Sequence, residues 1–424
     1  VYLPLNTGYT LNELEYFFDD AKPKVIVVDD KIQSKIDSIA STSSASILTL
    51  NLDESGSLTE KIKNHSTKFH AIARSENDLA AILYTSGTTG KSQGAMLSPR
   101  NLVSHSEVLR DVWKFSENDV LLHMLPIYHT HGLFVACNLL AIVGGSIIFL
   151  EKFDVKEALF WMKDATSMMG VPTFYTRLLA SDELNTDVTQ HIRLFISGSA
   201  PLLSETHIEF ERRTGKKILE RYGMTETNMN TSNPYDGERK AGTVGIPLPG
   251  VEIRVVNEEG HLVEHGKIGT IELKGENVFS GYWGMKEKTK EAYKKDGDFI
   301  TGEIAQRDED GYLIIVGRDK DMIISGGLNV YPKEIEDAIN EMPNILESAV
   351  VGIQHHDFGE AVIAVVVSSD KTLAEIKVLD FLKDKIAKYK QPKKILFLDE
   401  LPRNTMGKVQ KKVLRENYSD LFKN

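Results

Sequence analysis

Apolar and polar positions follow two alternating rhythms along the chain. Short apolar runs closed by acids or small residues read as parallel strands: KVIVVDD (24–30), DLAAILYTS (78–86) and IRLFISGSAP (192–201). Helical spacing marks SPRNLVSHSEVLRDVWKF (98–115) and SETHIEFERRTG (204–215). The first is opened by Ser98 and Pro99 as cap and first-turn pair, the second stopped by Gly215. Repeated strand–loop–helix units predict a mostly parallel α/β sheet. The longest apolar stretch, Gly132–Leu150, approaches a membrane span in length. Asn138, Ser146 and the Gly144–Gly145 pair break it into a buried helix, a turn and a buried strand.

From Gly242 the texture changes. GVEIRVVNEEG (250–260), GTIELKGE (269–276) and GYLIIVGRDKD (311–321) are strands divided by glycine and charge, which predict an antiparallel sheet or barrel. Beyond Lys320 come a helix (331–342), two strands (345–353 and 359–369) and a second helix (373–387), a compact α+β unit. The expected organisation is a large domain of mostly parallel α/β sheets with a small barrel-like part over 1–319, followed by a small α+β domain over 320–424.

Composition narrows the function classes. Of the 424 residues, 41% are hydrophobic and 26% charged, which is ordinary globular usage. With 50 Lys+Arg against 61 Asp+Glu the net charge is −11, unfavourable for bulk binding of nucleic acid or anionic membrane. One cysteine, Cys137 in an apolar run, excludes an intramolecular disulfide framework and a Cys-rich zinc site. The opening VYLPLNTGYT reads like the middle of a domain. An N-terminal segment is therefore expected to be missing, and with it any targeting signal. A cytoplasmic location is expected, with a mitochondrial one open. The C-terminal FKN is not a peroxisomal SKL signal.

The strongest chemical signal is YTSGTTGKSQG (84–94), directly after a predicted strand. Its glycines let backbone close on a polyanion, its hydroxyls donate to phosphate oxygens, and Lys91 adds positive charge. A Walker A loop needs its first glycine at position 85, where Thr85 stands. The loop is thus a phosphate-binding loop of another type.

This loop resembles the hallmark of the acyl-adenylating superfamily of acyl-CoA synthetases, adenylation domains and luciferases. SGSAP (197–201), ERYGMTET (220–227), TGE (301–303), GRDKDMIISGG (317–327) and LPRNTMGKVQK (401–411) follow in that family's order. The resemblance implies ATP, Mg²⁺ and coenzyme A as ligands. It implies that Thr85, Ser86, Gly87, Thr88, Thr89, Gly90 and Lys91 hold phosphates. Ser197, Gly198, Ser199 and Ala200 would flank the adenine together with Glu220, Arg221, Tyr222, Gly223 and Met224, Tyr222 stacking on the ring. Thr225 would contact the α-phosphate and Glu226 would ligate Mg²⁺. Glu303 stands where the family usually has Asp for the ribose hydroxyls, with Arg318 as a second contact. Lys408 matches the adenylation lysine, Lys320 the hinge of a swivelling small domain, and Gly326 and Gly327 the pantetheine path.

ERYGMTETNMNTSNPYDGERKAGTVG (220–245), LPIYHTHGLF (125–134) and SGGLNVYPKEIE (325–336) resemble the malonyl-CoA synthetases within that superfamily. Malonate is the implied substrate, with methylmalonate the other choice. Thr130, His131, Ser199 and Met229 fall in regions that line the acyl pocket of relatives. A dicarboxylate needs a cation for its distal charge. Arg177, on one helical face with Thr173 and Phe174, is the candidate, although its spacing equally fits a solvated helix arginine. Two alternatives stay open: a ligase for another short- or medium-chain acid, and a non-catalytic nucleotide-binding relative. Oligomeric state is not legible.

Overall fold

The computed structural model describes all residues except 41–44, 86–91, 326–327, 356–357, 384, 405–406 and 423–424. The chain forms two compact units, Val1–Arg100 with Phe279–Thr289, and Asn101–Val278 with Lys290–Asn424.

In the first unit, β1 (Val25–Val28) and β2 (Ser46–Thr49) pair in parallel. The helix Leu11–Ala21 starts on a capping box, with Thr10 and Glu13 satisfying each other's backbone amides. The predicted strand before the phosphate loop is β3 (Ala81–Thr85). One expectation is corrected here. β3 does not enter a parallel βαβ unit; it makes an antiparallel ladder with β4 (Gln93–Leu97). The returning segment adds to β4 through Met96 N–H to Gly281 O and Trp283 N–H to Gly94 O.

In the second unit, β5 (Val120–His123), β6 (Ser146–Phe149), β7 (Ser167–Gly170), β8 (Leu194–Ser197) and β9 (Ile218–Tyr222) form the expected parallel sheet. β10 (Thr231–Ser232) and β11 (Ile246–Pro247) extend it antiparallel, giving the order β11-β10-β9-β8-β7-β5-β6. β7, β8 and β9 are buried at every position, as a sheet covered on both faces requires. The Gly132–Leu150 stretch divides as expected, into a π-helical turn His131–Cys137, a helix Asn138–Val143 and β6, with Gly144 left-handed at the turn (φ 72°).

β12 (Glu252–Val256), β13 (Gly269–Lys274), β14 (Phe299–Arg307) and β15 (Leu313–Arg318) form an antiparallel sheet, the first of the two alternatives open for this region. Downstream, β16 (Ile323–Ser325), β17 (Leu328–Val330), β18 (Ile345–His355), β19 (Gly359–Ser368) and β20 (Lys394–Phe397) build a five-stranded sheet. Its apolar core includes Ile335, Ile339, Val350, Val362, Val366 and Val378. Among the described residues no helix is long and apolar enough to cross a membrane.

Candidate active site

The site lies at the carboxyl ends of β8 and β9, which are parallel neighbours with Ser197 opposite Glu220. Open parallel sheets bind ligands at such ends. Tyr222 closes β9, buried, and its hydroxyl pKa is pushed up by burial and by the carboxylate of Glu303. Glu303 on β14 faces Arg318 on β15 in register, and Arg318 Nε donates to Glu303 Oε1 at 2.9 Å. Tyr222, Glu303 and Arg318 thus lie together. The extra methylene of Glu303 still leaves a buried carboxylate beside the tyrosine ring, with oxygens able to accept from a diol.

Lys408 sits in a tight loop. Its N–H donates to Asn404 Oδ1 at 2.9 Å, and its carbonyl accepts from Asn404 N–H at 2.9 Å. Gly407 is left-handed there (φ 74°), and a Cβ on it would lie 3.6 Å from Thr173 Oγ1. This seats the loop on the helix Pro172–Leu179. Burial holds the Lys408 ammonium down to about 8; Arg318 and Arg221 press the same way, while Glu303 and Glu226 resist. The lysine from the C-terminal part therefore shares one electrostatic neighbourhood with both arginines and both carboxylates. Glu226 is buried and Thr225 half-buried on the turn after β9.

On the opposite face of β9 from Tyr222, a side chain with no such partner is enclosed. Arg221 is 3% exposed, and neither its Nε nor its Nη2 has a hydrogen-bond partner among the described residues. Burial presses its pKa down to about 9, yet a guanidinium keeps its charge at neutral pH. Gly198 is what makes room: a Cβ there would collide with the guanidinium. Around it stand His129 and His131, both held neutral by burial and by the positive charge of Arg221. His131 Nδ1 lies 3.2 Å from Ser199 Oγ, and Ser199 is left-handed (φ 72°), a conformation non-glycine residues adopt at a cost. Thr130 Oγ1 and His131 Nε2 are buried at the start of the π-helical turn, without partners among the described residues. Such turns recur at functional sites. Met229 is buried, and its terminal methyl occupies the space a Cβ on Gly223 would need.

Arg177, Glu220 and Lys320 are not drawn into this cluster. Arg177 is exposed on its helix. Glu220 points to the helix Ser204–Thr214, 3.6 Å from His207 Nδ1, and burial raises its pKa. Lys320 is exposed in the turn Asp319–Asp321, whose Asp321 pairs with Arg415 at 2.6 Å. Thr85 ends β3 in the other compact unit. Ser86, Gly87, Thr88, Thr89, Gly90, Lys91, Gly326 and Gly327 lie outside the described residues. Sequence reasoning did not single out His129. Its signal was present in PIYHTHG (126–132), where two histidines flank Thr130.

The described residues hold no cluster of three or more metal-ligating side chains. One buried carboxylate, Glu226, fits Mg²⁺, which takes few protein ligands and completes its octahedron with substrate phosphates and water.

A buried tyrosine, a carboxylate–arginine pair and a lysine delivered from a separate loop define a nucleotide-activating enzyme. The chain belongs to the AMP-binding enzyme family: that family's profile matches residues 1–283, and the profile of the AMP-binding enzyme C-terminal domain matches 334–408. It is 34% identical over 453 residues to the malonate–CoA ligase of Arabidopsis thaliana, covering 98% of this chain and 74% of that protein. It is 57% identical to ATP-bound MatB from Rhodopseudomonas palustris, with a TM-score of 0.97, covering 100% of this chain and 84% of the other. A malonyl-CoA ligase in ternary product complex with methylmalonyl-CoA and AMP is 35% identical with a TM-score of 0.67, covering 95% of this chain and 85% of the other.

Proposed function

We propose that the protein ligates malonate to coenzyme A through a malonyl-adenylate. In the first half-reaction a malonate carboxylate oxygen attacks the α-phosphorus of ATP and pyrophosphate leaves. In the second the coenzyme A thiolate attacks the acyl carbon and AMP leaves. Tyr222 stacks the adenine and Glu303 holds the ribose hydroxyls. Thr225 and Lys408 contact the α-phosphate, and Lys408 also draws in the attacking carboxylate. Glu226 holds Mg²⁺, which supplies charge neutralisation on the phosphates when bound.

The observation that carries the substrate class is Arg221, a buried guanidinium without a carboxylate partner among the described residues. An isolated buried cation is unfavourable unless a ligand supplies the counter-charge. The distal carboxylate of malonate does so, while the proximal one meets Lys408. We therefore place the distal carboxylate on Arg221 rather than on exposed Arg177, with His131, Thr130 and Ser199 at the flanks. We further propose that 320–424 swivels about Lys320 for the second half-reaction, bringing Gly326 and Gly327 to the pantetheine path.

Carboxylate-dependent ATP–pyrophosphate exchange across an acid panel tests this reading. Malonate should exceed acetate and butyrate by about tenfold or more in kcat/KM, with methylmalonate between. A monocarboxylate as good as malonate would sink it. The pH profile gives a second check. Lys408 acts as a cation and is held down to about 8 in the free protein. Exchange kcat/KM should therefore hold below that value and fall as pH rises through it. At saturating ATP the polyanion favours the charged lysine, so the kcat limb should move to higher pH. Superimposed limbs would remove Lys408 from that role.

A further inference from the structure

Three buried asparagines brace the turn that carries Thr225 and Glu226. The turn leaves β9 after Tyr222 and closes where Asn230 N–H donates to Tyr222 O at 2.8 Å. Within it, Asn228 is buried and left-handed (φ 51°). Asparagine is one of the few non-glycine residues that enter this conformation, and the surroundings must hold it there.

The hold comes from residues 276–278. Asn277 Nδ2 donates to Thr227 O at 2.6 Å and to Met229 O at 3.1 Å, the carbonyls on either side of Asn228. Asn228 Nδ2 donates back, to Asn277 O at 3.1 Å and to Asn101 O at 3.4 Å. Asn101, on the helix Pro99–Val112, repeats the device one layer out. Its Nδ2 donates to Glu276 O at 2.8 Å and Val278 O at 2.7 Å, the carbonyls on either side of Asn277. Asn101, Asn228 and Asn277 are 5%, 0% and 4% exposed. Each amide nitrogen faces two carbonyl oxygens, which fixes its orientation. An apolar side chain would leave these buried carbonyls unpaired, and an aspartate would set oxygen against oxygen. Gly223 tightens the turn, since a Cβ on it would collide with Asn228 O.

The residue held in place is functional. The site offers Mg²⁺ one buried carboxylate, so the metal's position follows from where this turn puts Glu226. We propose that Asn228, Asn277 and Asn101 are positioning residues for the first half-reaction, setting Glu226 toward Mg²⁺ and Thr225 toward the α-phosphate. This rests on the reading that Glu226 holds the metal.

The test compares Asn228→Gly with wild type. Glycine keeps the left-handed backbone and removes the amide. Calorimetric titration with ATP is run across Mg²⁺ concentrations. Binding of ATP without Mg²⁺ should stay within about twofold of wild type. The Mg²⁺ needed for half-maximal tightening of ATP should rise about tenfold or more, the range for losing a group that orients a metal ligand. Malonate-dependent pyrophosphate exchange should fall by about 10²-fold, as for a reacting group misplaced by about an ångström. Thioester formation from supplied malonyl-adenylate should stay within about threefold. Asn277→Ser carries the same test if the glycine variant does not fold. An unchanged Mg²⁺ requirement, or equal loss of both half-reactions with a lower melting temperature, overturns the inference. Glu226→Gln separates it from the reading beneath it. If that variant keeps the wild-type Mg²⁺ requirement, the metal role of Glu226 fails and this inference with it. If it raises the requirement while Asn228→Gly does not, the inference alone fails.

Discussion

Replacing Lys408 with alanine is expected to lower malonate-dependent ATP–pyrophosphate exchange by about 10²–10³-fold or more, the range for losing one preorganised group that meets developing charge. The backbone of Lys408 is held by reciprocal bonds with Asn404, and its ammonium feels Arg318, Arg221, Glu303 and Glu226. Its depressed pKa reports how little water it keeps, and a desolvated cation acts more strongly on a developing oxyanion than a hydrated one. Thioester formation from supplied malonyl-adenylate should stay within about threefold of wild type, because the bond between acid and phosphorus is already made. Lys408→Arg should recover little, since a planar fork does not replace a point charge at fixed reach. Equal loss of both half-reactions in the alanine variant would show that Lys408 shapes the whole site.

How much of this was legible in the sequence depends on the range over which each residue acts. The strands after residue 242 and the 331–369 unit were readable because their apolar patterns are local: β18 and β19 are long, with apolar central runs, and pair antiparallel. The ladder of β3 with β4 was not. QGAML (93–97) follows a polar loop and contains Gly94, which weakens any strand signal, yet Gly94 is needed because a Cβ would meet the Ile82 side chain. Tyr222, Glu303, Arg318 and Lys408 were reachable through ordered motifs. Their convergence was a consequence of resemblance, since 186 positions separate Tyr222 from Lys408 (408 − 222) and no local rule spans that.

Arg221 and Arg177 mark the limit of motif order. Motif order places Arg177 near the acyl end and cannot tell which way the helix faces. The helix Pro172–Leu179 buries Tyr175 and Leu178, three apart, and leaves Arg177 off that stripe. Arg221 carries its own signal: it lies within LERY, a strand buried at every position, where charge is rarely tolerated unpaired. Its face is set by strand alternation, which sends Glu220 and Tyr222 one way and Arg221 the other. Gly198 is read as a nucleotide-loop glycine from sequence, while the structure shows it clearing space for the Arg221 guanidinium from the neighbouring strand.

Arg221→Met is expected to raise the KM for malonate steeply, by about 2–5 kcal/mol of lost binding, the range for truncating one partner of a buried charge pair. At 1.4 kcal/mol per decade that is roughly 30- to several-thousand-fold. Butyrate, which brings no second charge, should lose little or gain, because the unmatched cation is gone. The unliganded variant should melt at a higher temperature than wild type: methionine is similar in length, and replacing an unpaired buried charge by an apolar side chain removes a desolvation penalty. The sign of this pair of effects separates substrate binding from scaffolding, since a structural arginine would lose stability and activity together. Arg177→Ala, made beside it, should leave the malonate KM within about twofold, as for an exposed side chain without a buried partner. If Arg177→Ala loses malonate and Arg221→Met keeps it, the distal carboxylate sits on the helix Pro172–Leu179, and the buried guanidinium serves the nucleotide instead.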